Sequence, residues 1–271
     1  MYLVLDIGGT NTRLAISKDG STLENIRIIK TSQNFDESIN SIKSVIAEIS
    51  GDEQIEAAAL GIPGNLNSEK TMIEKSRNLH GWVEQPLKER LLESINAPLF
   101  IQNDAALNAL GEASFGAGKG FEIVAFFTVS TGFGGCRIVK GLIDINNLGF
   151  EPGHQIISFD NDQPIILEDK LSGAAFEKRF GRRAEEIDNP EVWAEAARDL
   201  SIGITNALVF WSPNCVVLGG PLIERIDMED VIKKVSEYNK AFLVTPPIKK
   251  AELGEESGLY GALAYLKNKA S

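Results

Sequence analysis

One module occurs twice in this chain: a short apolar strand, a glycine turn, and a second strand returning beside the first. In the first copy Tyr2 to Asp6 is the strand, Gly8-Gly9-Thr10 the turn and Arg13 to Ser17 the return. Lys18-Asp19-Gly20 then reads as a hairpin turn, because Asp-Gly supplies the positive φ such turns need. In the second copy Ile123 to Val129 is the strand and Thr131-Gly132-Phe133-Gly134-Gly135 the turn. Cys136 to Val139 is its return and Lys140-Gly141 the hairpin turn. The copies agree in kind and not residue by residue, so the chain reads as two related α/β halves without a short-period repeat.

Both glycine turns follow buried strands directly. Glycine there permits positive φ and lets a ligand approach the backbone, and successive N–H groups can cradle phosphate oxygens. Thr10 and Thr131 add hydroxyl donors, and Asp6 can hold Mg²⁺ directly or through water. Either glycine pair alone reads first as an ordinary hairpin. Their recurrence, with Gly219-Gly220 at a third strand end, turns the reading toward phosphate. Competing phosphate motifs fail: Gly118-Lys119 is followed by Gly120, not by Ser or Thr as a P-loop requires, and that stretch follows a helix. No His-Arg-Asp or Asp-Phe-Gly of a protein kinase is present.

Between the modules the spacing of Phe35, Ile39, Ile42, Val45, Ile46 and Ile49 predicts a helix ended by Gly51. Ala57 to Ile62 is a buried strand closed by Pro63-Gly64. Leu99 to Gln102 is a strand running into Asn103-Asp104-Ala105, and an alanine-rich helix from there reaches about Ser114. The glycine-rich Phe115 to Gly120 marks a hinge. Farther on, Val192 to Trp211 is a long helix ended by Pro213, Val216 to Leu218 a strand, and Gly258 to Lys267 an amphipathic helix. The expected division is residues 1–115 plus a C-terminal helix of about 257–271, and residues 116–256.

The charge excludes some functions. Lys plus Arg number 27 and Asp plus Glu 38, a net −11 without a compensating basic block, which opposes binding to nucleic acid. No apolar run approaches the ~18 residues of a membrane helix, and the start lacks a signal peptide's basic and apolar regions. Cys136 and Cys215 make no disulfide framework, and two histidines leave little for a metal cluster. The expectation is a cytoplasmic protein that binds neither membrane nor nucleic acid.

Seven segments occur in the order seen in ROK-family sugar kinases: Asp6-Ile-Gly-Gly-Thr-Asn-Thr-Arg13, Gly61-Ile-Pro-Gly64, Asn78-Leu-His-Gly-Trp82, Asn103-Asp104-Ala105, the Thr131 to Gly135 turn, Glu151-Pro-Gly-His154 and Leu218-Gly-Gly220. The chain resembles that family from Asp6 to its last helix. The resemblance implies a two-lobed α/β hexokinase/actin-like ATPase (ribonuclease H-like) fold with an interlobe cleft, ATP and Mg²⁺ as cofactors, a small-molecule sugar as substrate, and a homodimer. It assigns ATP and phosphate to Asp6, Gly8, Gly9, Thr10, Asn11, Arg13, Thr131, Gly132, Gly219 and Gly220, with Asp6 at the Mg²⁺. It assigns the sugar to Gly64, Asn65, Asn78, Asn103, Asp104, Glu151, His154 and Glu168.

From its place at a helix start alone, Asp104 reads as a cap; the resemblance makes it the base that takes the proton of a hexose 6-hydroxyl. Carboxylates and an imidazole suit Glu151, His154 and Glu168 to hydroxyls that both donate and accept. Asn65 and Asn78 read equally as turn residues. Gly258 and Gly261 read either as helix-packing glycines or as neighbours of hinge or adenine. Glucose is the first sugar implied, with fructose, mannose, N-acetylated hexosamines and others as alternatives. A sugar-responsive regulator and a chaperone-type ATPase are the readings from other classes. The first is opposed by the charge and by a chain that starts at its first strand, leaving no room for a DNA-binding module. The second leaves Glu151, His154 and Glu168 unexplained. The sequence departs from the family where most members carry three zinc-binding cysteines: Gln155 to Leu167 holds none. No zinc is expected, and packing must hold that loop.

Overall fold

The computed structural model describes residues 1–270. The chain divides into two compact units, Met1–Phe115 with Glu255–Ser271, and Gly116–Gly254. The first unit is built on β1 (Tyr2–Ile7), β2 (Asn11–Ser17), β3 (Glu24–Lys30), α1 (Phe35–Ser50), β4 (Ala57–Ile62), β5 (Asn65–Leu66), β6 (Ile73–Lys75), α2 (Leu87–Leu92), β7 (Leu99–Asn103) and α3 (Asp104–Ser114). The second contains β8 (Ile123–Val129), β9 (Phe133–Val139), β10 (Leu142–Ile143), β11 (Ile156–Asp160), β12 (Gln163–Ile166), α4 (Leu167–Lys170), α5 (Gly173–Phe180), α6 (Pro190–Trp211), β13 (Cys215–Gly219), α7 (Met228–Tyr238) and β14 (Ile248–Lys250). Helix α8 (Ser257–Ala270) belongs to the first unit.

The two five-stranded sheets have one topology. Their orders are β3-β2-β1-β4-β7 and β10-β9-β8-β13-β14. In each, the first three strands in sequence form an antiparallel meander, and the fourth and fifth add on in parallel beside the first. The doubled sequence module is thus the seed of two sheets with matching order and direction.

In the first unit Leu3, Leu5, Ile7, Leu14 and Ile16 share a core with Ile39, Ile42 and Ile46 of α1. The helix is framed as its sequence dictates. Asn34 accepts from the Glu37 N–H (3.1 Å), and Gly51 closes the other end at φ 53°. The opposite face of β1 and β4 is covered by α8, which explains why these strands are apolar on both sides. Helices α3 and α8 touch backbone to backbone: a Cβ on Gly261 would lie 1.8 Å from the Leu107 carbonyl oxygen, and one on Gly111 2.1 Å from that of Ser257. Gly261 is therefore a packing glycine.

In the second unit Phe127, Val129, Val216 and Leu218 share a core with Leu200, Ile204 and Leu208 of α6. Helix α6 begins at Pro190, behind the Asn189 cap, and ends in the left-handed Ser212 ahead of Pro213. Its start lies two residues before the expected one because Pro is preorganised for the first helical position. The turns are shorter than the sequence implies: β2 starts at Asn11, and Phe133-Gly134-Gly135 lie within β9. Nor do Gly8, Gly9, Gly132, Gly134 or Gly135 adopt positive φ. Close packing demands glycine at Gly135, where a Cβ would lie 2.4 Å from the Phe126 carbonyl oxygen.

Candidate functional site

In the first unit the candidate residues gather around Asp6. It lies near the end of β1, opposite Arg13 on β2 and Gly61 on β4. Two glycines wall its carboxylate. A Cβ on Gly258 would lie 2.6 Å from Asp6 Cγ, and one on Gly61 3.3 Å from Asp6 Oδ1 and 3.6 Å from Asp104 Cα. Burial and the negative charge of Asp104 push the Asp6 carboxyl up to about 7, against the pull of Arg13. Within this unit Gly258 is the surface on which Asp6 rests. Sequence reasoning missed that role, since 252 positions separate the two residues. Arg13 donates to Glu255 at 2.6 Å, while its Nε is buried without a partner.

The first turn is braced from within. The Gly8 N–H donates to the Asn11 carbonyl (2.8 Å), and the Thr10 carbonyl accepts from Thr31 (2.9 Å). A Cβ on Gly9 would lie 3.0 Å from Asn78 Cβ, so the structure sets Asn78 against this turn. The Asn11 side-chain oxygen accepts from Lys30 (3.0 Å). Gly64 needs glycine, with φ at 116° and the Lys75 carbonyl where a Cβ would stand. Asn65 is exposed in β5.

At the start of α3 the capping question has a clear answer. Asn103 caps the helix by accepting from the Ala106 N–H (3.2 Å), and its amide nitrogen donates to the Gly64 carbonyl (3.5 Å). Asp104 is the first helical residue and accepts from the adjacent Ala105 N–H (2.9 Å). The conventional cap is therefore filled by its neighbour. The half-exposed Asp104 carboxylate stands at the positive end of the helix.

In the second unit Glu168 is the meeting point. Its Oε2 accepts from the Phe133 N–H at 2.8 Å. A Cβ on Gly132 would lie 2.9 Å from that oxygen, and one on Gly153 3.3 Å from Glu168 Cβ. Glu168 thus joins the Thr131-Gly132 turn to the Glu151–His154 segment. Glu151 and His154 are exposed at the two ends of a short 3-10 turn, with Nδ1 of His154 3.5 Å from the Glu151 carboxylate. The Ser130 and Thr131 carbonyls accept from Gly173 and Ala174 at the start of α5 (2.7 and 3.0 Å). Gly220 adopts φ 91°, and a Cβ on it would lie 2.3 Å from the Val129 carbonyl oxygen. The Gly219-Gly220 pair therefore runs beside the strand end from which the Thr131 turn begins.

The stretch from Gln155 to Leu167 forms the β11–β12 hairpin, turning through Asn161 and Asp162 at φ 45° and 64°. Cys136 and Cys215 are buried in β9 and β13, where burial pushes their thiols up to about 12 and about 11. Among the described residues no three of His, Cys, Asp or Glu gather as a metal-binding group. Asp6 is a carboxylate of the kind that takes Mg²⁺: a divalent cation there would offset the repulsion from Asp104 and needs only one or two protein carboxylates.

The family model described as "ROK family" matches residues 2–269. The chain is 26% identical to a glucokinase of Thermotoga maritima, over 98% of this chain and 96% of the relative. It is also 26% identical to an N-acetyl-D-glucosamine kinase of Haemophilus influenzae, over 99% and 100%. Among solved structures, a ROK hexokinase from Thermus thermophilus matches with a TM-score of 0.86 and 27% identity, covering 100% of this chain and 99% of that one. The fold is that of the hexokinase/actin-like ATPases. With a model spanning nearly its whole length and relatives matched end to end, this chain belongs to the ROK family.

Proposed function

We propose that this protein is a hexose kinase that transfers the γ-phosphoryl group of ATP to the 6-hydroxyl of a sugar, with glucose the first candidate. The observation that carries the reading is the first unit's carboxylate pair. Asp6 is held beside a glycine turn and its carboxyl is driven upward by burial and then by Asp104, whose helix is capped by Asn103 instead. Phosphoryl transfer asks for positioning, charge neutralisation and a base near the attacking oxygen more than for covalent chemistry. Asp104 takes the proton of the 6-hydroxyl. Asp6 would hold Mg²⁺, directly or through water, where the ion would supply neutralisation of charge on the phosphates. Backbone N–H groups of Gly8, Gly9, Thr10 and Asn11, with Arg13, bind phosphate from the first unit. Thr131, Gly132 and the Gly219-Gly220 pair bind nucleotide from the second. Glu151, His154 and Glu168 read sugar hydroxyls, supported by Gly64, Asn65, Asn78 and Asn103.

The relatives named for glucose and for N-acetyl-D-glucosamine keep fructose, mannose and N-acetylated hexosamines as alternative acceptors. The reading includes a cytoplasmic location and no nucleic-acid or membrane partner; no described helix is long and apolar enough to cross a membrane. It also includes no zinc and pairing with a second copy of the chain. ADP release with Mg²⁺-ATP across a panel of hexoses and hexosamines tests the activity. Sugar-dependent release on one or a few sugars is expected. Release that ignores sugar would favour a plain ATPase, and none with any sugar would favour a binding-only regulator.

A further inference from the structure

Between His154 and Glu168 the chain runs out along β11 and back along β12, and this hairpin joins neither five-stranded sheet. Two of the residues read as sugar ligands therefore flank a segment that the main sheets do not hold. Ile157 and Leu167 pack on the core, and one polar side chain ties the base of the hairpin to α6. Gln155 Nε2 donates to the Pro152 carbonyl (2.8 Å), inside the turn that carries Glu151 and His154. Gln155 Oε1 accepts from Asn206 Nδ2 on α6 (2.8 Å). Its backbone carbonyl accepts from the Leu167 N–H (3.0 Å), the residue before Glu168. Gly203, one turn before Asn206, makes the approach feasible: a Cβ there would lie 2.5 Å from Leu167 Cδ2 and 3.3 Å from Gln155 Nε2. Helix α6 is itself anchored by Leu200, Ile204 and Leu208 in the core. Gln155 is partly buried, and both ends of its amide are engaged with aligned partners.

We propose that Gln155 and Asn206 are positioning residues that lock Glu151, His154 and Glu168 into one set on the rigid face of α6 and thereby set affinity for the sugar. This rests on the kinase reading for the word sugar, though not for the lock itself. Neither residue touches substrate. Each acts by holding the turn, and each acts through the other.

The test uses the full chain with Gln155→Met, which keeps the volume and removes both hydrogen bonds, with Asn206→Ala, and with the double variant. Hydrogen exchange without ligand reads the lock alone. The His154 and Leu167 amides should exchange faster in all three variants, with β8 and β13 unchanged. For the preferred sugar, KM should rise about 10-fold in each single variant, the scale of one lost hydrogen bond. KM for ATP should rise clearly less than that for the sugar, since only Glu168 of the set meets the nucleotide turn, through the Phe133 N–H that both variants leave in place. The double variant should be little worse than either single, because both break one unit. Unchanged exchange in this segment overturns the lock, and so does a sugar KM that stays put or rises together with that for ATP. A wild-type chain with no sugar-dependent turnover would sink the kinase reading instead, and exchange would still decide the lock.

Discussion

Asp6 is under two pressures that a surface aspartate escapes: it loses water to the glycine walls of Gly61 and Gly258, and it faces the charge of Asp104. Both favour the neutral form, so its carboxyl rises from the ordinary 3.8 to about 7. The folded state holds this proton more tightly than the unfolded chain, so the stability it adds is fully present below about pH 4 and is lost as pH rises through about 7. Asp6→Asn cannot ionise and removes that loss. In metal-free protein without nucleotide, its thermal midpoint should exceed that of the wild type by roughly 4–8 °C at pH 8, with little difference at pH 4. An unchanged or lower midpoint at pH 8 would contradict this account of Asp6. The neighbouring Asn103 shows how far sequence alone reaches. Asn103-Asp104 at a strand–helix junction announces a cap, but which residue takes it depends on whether Oδ1 can reach the Ala106 N–H, a matter of backbone geometry.

Among the elements, α3 and α8 carry the tightest constraint. Their backbones meet at Gly111 and Gly261, and that approach lets Gly258 bear on Asp6. Gly261→Ala would place a methyl 1.8 Å from the Leu107 carbonyl oxygen. The helices must then separate, at a cost of about 1–3 kcal/mol or more. We expect a thermal midpoint lowered by at least ~2 °C, and an unchanged midpoint would show that the crossing is looser than this. The elements themselves are largely legible in sequence: β8 spans Ile123–Val129 as expected, and α1 follows the spacing of its isoleucines. Their contacts are less so. The glycines of the turns suggest φ freedom, whereas the structure uses them for contact with Asn78, Glu168 and the Phe126 carbonyl. Local sequence carries no signal for a partner 35 residues away, as Phe133 is from Glu168.

For the whole molecule, the doubled module gives two sheets of equal order and direction, and that much was written in the repeated strand–glycine–strand pattern. The hairpin between His154 and Glu168 was not. Asp160-Asn161-Asp162 gives a turn only when its two flanks pair, and they pair here with a register shift. The second unit also exposes Ile145, Leu148 and Phe210 at 97%, 87% and 81%. Native mass spectrometry reads two proposals at once, and the expected species is twice the 29.5 kDa chain with no zinc bound. A single-chain mass would contradict the pairing, and stoichiometric zinc would contradict the metal-free hairpin. The central claim is that Asp104 is the base of a sugar kinase, and the most direct test is ADP release on the preferred sugar for Asp104→Ala beside wild type. General-base catalysis contributes roughly 10²–10⁴-fold, so turnover should fall by at least about a hundredfold while the thermal midpoint stays close to that of wild type. Near-normal sugar-dependent turnover in that variant would contradict the account.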